Sequence, residues 1–125
     1  MPLIPQSQAR RTETPNAVMT TLASPTQGGA EHSVWRVEMA PGASGPAHAF
    51  DAQQVWTAVA GAATVELEGE PLSVAAGDTL VLPPRAPRRI VADPTAGFTA
   101  IVAGSSGGRA TLTDGTDRGV PAWIA

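Results

Sequence analysis

At 125 residues the chain has the length of one domain, and its 42% hydrophobic content is enough to bury a core without disulfides. A net charge of −3 excludes the basic stripe of a nucleic-acid binder, and no apolar run reaches the roughly 18 residues of a membrane helix. Cysteine, lysine and tyrosine are all missing, which removes thiolate nucleophiles, sulfur-ligated metals, lysine Schiff bases and one common proton donor. Proton transfer in such a chain falls to two histidines and a few carboxylates.

Residues 1–16, rich in Pro, Gln, Thr and Arg, read as a loose arm ahead of a single domain over residues 17–125. Arg10-Arg11 is followed by TETPNAVMTT, too polar for a signal core, so the chain reads as cytoplasmic. Ala17 to Ala23 is a short strand, and SPTQGG after it a turn region. HSVWRVEM, His32 to Met39, alternates in the manner of a half-buried strand. After Pro41-Gly42 come two runs, Val55 to Val59 and Ala63 to Leu67, joined at Gly61. Pro71 to Ala75, Thr79 to Leu82, Arg88 to Ala92 and Gly97 to Ala103 complete the strands, with turns at Glu68-Gly69-Glu70 and Ala76-Gly77-Asp78. Gly104 to Gly108 reads as a flexible loop. No segment keeps a 3.6-residue period, and many short strands punctuated by 13 Gly and 12 Pro predict an all-β antiparallel sandwich or barrel.

Two spaced patterns narrow that prediction. Gly42, His48, Phe50, Gln54 and Gly61 follow the frame G-x5-H-x-H-x3-E-x6-G, with Phe at the second His and Gln at the Glu. Gly77 and Pro83 then open the frame G-x5-P-x-G-x2-H-x3-N, with Arg85, Arg88 and Ala92 at its remaining fixed positions. These are the two motifs of the cupin family, which the chain resembles over roughly residues 17 to 103. The short stretch between the motifs, residues 62 to 76, is similar to that of small single-domain bacterial cupins. The resemblance implies a double-stranded β-helix, or jelly roll, whose motif side chains point into one open mouth. It also implies a homodimer.

In the family the corresponding two His, Glu and third His bind a divalent metal; here those positions hold His48, Phe50, Gln54 and Arg88. Arg stays protonated and Phe cannot ligate, so one imidazole and one amide remain where about three protein ligands are usual. A metal is therefore not expected, and the alternative is a divalent metal held through His48 and Gln54. Period-two alternation places His48 with Phe50 on one face, and Gln54 with Trp56 on one face. His48 is a candidate general base, or a hydrogen-bonded histidine of the barrel wall. Arg88 needs an anion: either an acid such as Asp51 or Glu38, or the carboxylate, phosphate or enolate of a ligand. Phe50 and Trp56 are either core or an apolar wall for a flat ligand. The resulting expectation is a metal-independent protein that binds a small anionic or enolisable compound as an isomerase, cyclase or lyase. His48 moves the proton, Arg88 holds the oxyanion and Gln54 orients the substrate. The alternatives are a metal-dependent dioxygenase-like protein and a ligand sensor or storage protein without turnover.

Overall fold

The computed structural model describes residues 3–125; the first two residues of the arm lie outside it. Eleven antiparallel strands form one curled sheet: β1 (Arg10–Glu13), β2 (Val18–Ala23), β3 (His32–Met39), β4 (His48–Phe50), β5 (Gln54–Leu67), β6 (Glu70–Ala75), β7 (Thr79–Leu82), β8 (Arg88–Ala92), β9 (Phe98–Ser105), β10 (Ala110–Leu112) and β11 (Asp117–Gly119). The order is β1-β2-β3-β9-β5-β8-β4-β10-β11, with β6 and β7 also paired to β5. This is the jelly roll anticipated from the motifs. No helix among the described residues is long and apolar enough to cross a membrane.

The strand alternation explains the core. On β3, Ser33, Trp35, Val37 and Met39 are buried while the residues between them are not. β9 follows the same rule with Phe98, Ala100 and Val102, which face β3 in strict register. β8 buries Arg88, Ile90 and Ala92, so the arginine is turned inward by the same period that turns in Ile90. Trp35 and Phe98 are 1% and 3% exposed, as core residues should be.

β5 is where sequence and structure part. The runs expected to be two strands are one strand of 14 residues, because the chain bends at Gly61 without breaking. Its first part, Gln54 to Thr57, lies between β9 and β7; its second, Ala62 to Leu67, lies between β6 and β8. The register against β9 shifts between Ala58 and Ala60, and Gly61 follows with φ +70°. One strand thereby belongs to both halves of the curled sheet, and it carries Gln54 and Trp56 into the space between them.

The arm is also more regular than expected. Arg10–Glu13 pair with Val18–Thr21 as an edge strand, and the turn between them is closed by Thr14 Oγ1, which accepts from Asn16 N and Ala17 N. A four-residue edge strand of alternating exposure carries almost no apolar signal, so nothing in its sequence separates it from a loop.

Gly61 supplies a test of this bend. A Cβ there would sit 2.1 Å from the carbonyl oxygen of Gly97, a backbone atom with no room to yield. Gly42 has a similar φ, +75°, but a Cβ there meets nothing within 4 Å. Gly42→Ala should therefore cost only the left-handed backbone, about 1 kcal/mol, and Gly61→Ala at least about 3 kcal/mol. Urea titration of both variants checks the difference; equal losses would mean that the bend is not built on this contact.

Candidate functional site

His48, Phe50, Gln54, Trp56 and Arg88 come together, as the two motifs require. His48 and Arg88 are register partners on β4 and β8. The His48 and Phe50 rings meet edge to face at 5.4 Å, so the two do share a face of β4. Gln54 and Trp56 also share a face, and Gln54 Oε1 accepts the Trp56 indole N–H at 3.1 Å. The same oxygen accepts Arg88 Nη2 at 3.0 Å.

Arg88 is the unusual member. It is 1% exposed and has no carboxylate partner among the described residues. The acids considered for it are engaged elsewhere: Asp51 accepts from Arg109 N, and Glu38 from Arg36. Besides Gln54, its guanidinium has a long hydrogen bond to Ala86 O, 3.4 Å, and the face of Phe50, 4.9 Å from the ring centroid. Nε has no partner. Burial pushes its pKa down to about 10, and it remains a cation at neutral pH. A cation–π contact and one strong neutral acceptor offset part of the desolvation, and they leave the charge uncompensated.

His48 lies at the border between this cluster and a cavity of about 420 Å³. The cavity is walled by Pro46, Phe50, Leu112, Pro121 and Trp123, with His48, Thr14, Asn16 and Arg118 as its polar groups. Arg88 does not line it; Arg88 stacks on Phe50, which does. Trp56 lines an adjoining recess of about 100 Å³ with Met19, Val37 and Ile90, which shares Thr14 and Asn16 with the larger cavity; Trp56 itself is not among the walls of the larger one. Sequence reasoning missed Arg118 and Trp123 altogether. Both follow the motifs, on a segment whose composition marks only turns.

His48 has a defined tautomer. Nδ1 is 2.9 Å from Pro46 O, and a carbonyl can only accept, so Nδ1 carries the proton. Nε2 then keeps a free lone pair. Burial lowers the pKa of the ring, the Pro46 hydrogen bond works against this, and the charge of Arg88 lowers it further. The ring is therefore neutral at physiological pH, with a basic nitrogen available.

These residues do not make a metal centre. Among the described residues no three His, Cys, Asp or Glu side chains group together. Of the four motif positions, Phe50 and Arg88 cannot ligate, and Gln54 Oε1 already accepts two hydrogen bonds. His32 is exposed at the start of β3, paired with Ser105. The donor set thus fits a guanidinium, not a divalent ion.

A family model described as a cupin domain matches residues 35–103. The chain belongs to the cupin superfamily. Solved cupin-fold structures agree over most of its length. An RmlC-like cupin from Shewanella frigidimarina is 24% identical, covers 80% of this chain and 86% of its own, and superposes with a TM-score of 0.68. The polyketide cyclase RemF from Streptomyces resistomycificus is 18% identical, with 84% and 79% covered and a TM-score of 0.72. A salicylate 1,2-dioxygenase from Pseudaminobacter salicylatoxidans is 19% identical and has a TM-score of 0.72, but the 86% of this chain it aligns with is 33% of the dioxygenase. Likeness at these identities concerns the fold. Among curated proteins none matches the chain in sequence.

The electrostatics of this cupin's site give a pH test. The folded pKa of His48 lies below the unfolded value near 6.5, so between the two values the unfolded chain binds more protons. Stability should fall as pH drops from 7 through that window and level off below the folded pKa. His48→Gln should flatten the dependence; a wild type equally stable at pH 7 and pH 5 would refute the neutral, buried ring. A second variant isolates the Arg88 contribution. Arg88→Met removes the charge while keeping an apolar chain, and the His48 pKa followed by NMR should rise while staying lowered, because burial, the larger cause, acts on it still. An unchanged His48 pKa would mean that Arg88 does not act on the ring.

Proposed function

We propose that this cupin binds a small organic molecule in the 420 Å³ cavity and moves a proton on it without a metal, as an isomerase, cyclase or lyase would. The observation that carries this reading is the neutral His48 on the cavity wall, with Nδ1 tied to Pro46 and no hydrogen bond from Nε2 among the described residues. A base needs an unprotonated lone pair at working pH, and burial, with the charge of Arg88, keeps the His48 ring neutral there. Nε2 takes a proton from carbon next to a carbonyl, and an enolate forms. Returning the proton to another carbon isomerises the substrate; expelling a neighbouring leaving group makes it a lyase; attack on a second carbonyl within the molecule closes a ring. Phe50 supplies the apolar wall. Arg88, behind Phe50, contributes its field to the developing negative charge, and Gln54 holds that arginine in place rather than touching substrate. A homodimer is part of the same proposal, and the exposed Val59 and Val81, on the outer face of β5 and β7, offer apolar surface for it.

Proton exchange tests the reaction without knowledge of the natural substrate. Small enolisable acids such as acetoacetate and 2-oxobutanoate, incubated in D2O, lose C–H signal in proton NMR when a base abstracts hydrogen. The wild type should accelerate exchange of at least one compound, and His48→Gln should lower that rate about 10²-fold or more. If compounds that bind show no exchange above the His48→Gln background, the protein is a ligand sensor or store and not an enzyme.

A further inference from the structure

The cavity is completed by a part of the chain outside both motifs. β10 and β11 pair beside β4, so that Leu112 and Arg118 join the cavity wall, and the chain then returns through Pro121 and Trp123. This return is anchored. Thr21 Oγ1 donates to Trp123 O at 2.8 Å, Ser33 Oγ donates to Ile124 O, and Ser24 Oγ donates to Ala125 O at 2.8 Å. Those three hydroxyl residues are each 0% exposed, and Ile124 is fully buried beside them. Arg10 adds hydrogen bonds to Ala122 O and Ala125 O at 2.9 and 3.0 Å. Trp123 is therefore a fixed wall, with its backbone committed on both sides.

Arg118 has the opposite character. It is exposed at the cavity rim and forms no ion pair among the described residues. The acids near it in sequence are already occupied: Asp117 accepts from Arg109 at 2.9 Å and from Gly119 N at 2.8 Å, and Asp114 accepts from Thr116 N at 2.9 Å. Because His48 is neutral, Arg118 is the one charged side chain among the cavity walls. A guanidinium at the rim of a space whose other polar groups are neutral and whose walls include Phe50 and Trp123 selects for an anionic head on a flat body.

We propose that the segment from Ala110 to Ile124 determines what the cavity accepts: Arg118 grips a carboxylate, Trp123 covers the flat part of the same molecule, and the ligands are small aromatic or enolic carboxylic acids. The volume, about 420 Å³, lies toward the lower end of the roughly 300–1,000 Å³ typical of small-molecule pockets, which suits a single ring with its carboxylate. The inference rests on the cavity being the ligand site and not on turnover there.

Benzoate and benzamide, equal in shape and different in charge, are the probes, with affinity read by calorimetry or ligand NMR. Benzoate should bind the wild type more tightly than benzamide. Arg118→Gln should weaken benzoate by about tenfold or more and leave benzamide unchanged. Trp123→Ala should weaken both, and Trp123→Phe, which keeps a flat ring and the fold, should retain most of the binding. Arg118→Gln binding benzoate as the wild type does, or a wild type that does not bind benzoate, overturns the proposal. Benzoate binding that depends on Arg118 in a protein with no proton exchange leaves this inference standing and removes the enzyme reading; exchange without that dependence does the reverse.

Discussion

A guanidinium buried without an acid is the constraint around which this site is arranged. Arg88 is turned inward by the alternation that buries Ile90 and Ala92 on the same strand, so it cannot reach water without disturbing β8. What meets it is a neutral amide oxygen, a distant carbonyl and an aromatic face. Each of these partners is then fixed in turn. Gln54 is held between Arg88 and the Trp56 indole, Phe50 lies between the cation and the cavity, and the neighbouring His48 is kept neutral. A carboxylate at position 54 would give the charge a partner and relieve much of this. The amide leaves the positive potential in place.

That potential is of the size a metal centre would leave. A divalent ion with one carboxylate ligand carries about one net positive charge, and so does a guanidinium beside an amide and a neutral imidazole. The difference is one of exchange. A metal opens a coordination position to substrate, whereas Arg88 lies over Phe50 and, in the proposed reaction, would act through its field. Fields are strong where water is excluded, and Arg88 is 1% exposed.

Much of the fold was legible because it is written in period two and in glycine. β2, β3, β7 and β8 stand within a residue or so of where alternation put them, and Gly61 is required by a backbone contact that its motif position foreshadowed. The grouping of His48, Phe50, Gln54, Trp56 and Arg88 was legible for the same reason. The commitments of those side chains were not. Arg88 was expected to find an acid or a ligand, and its partners are an amide and a ring, a choice decided by geometry across three strands. The return segment was hidden more thoroughly. Thr21, Ser24 and Ser33 look like ordinary polar residues of a strand or turn until their acceptors, some 90 to 100 positions away, are seen. Buried hydroxyls of this kind are informative only in three dimensions.

The two halves of the site therefore have different origins in the chain. The motif half carries a buried charge, and its residues contact one another. The half added by β10, β11 and the return segment supplies cavity wall, and none of the side-chain hydrogen bonds of Arg88 and Gln54 comes from it. Such a division separates the residues that set the basicity of His48 from those that choose the molecule presented to it. A ligand bound by its carboxylate at Arg118 would hold that charge at the rim, away from Arg88, so the buried cation stays available for charge that develops beside His48. Under the proposed reading the exposed arginine serves recognition and the buried one the reacting centre, a division that matches their burial. The exposed cation would be paired by a ligand at little desolvation cost, while the buried one, held by an amide, a carbonyl and a ring, has no counter-charge among the described residues.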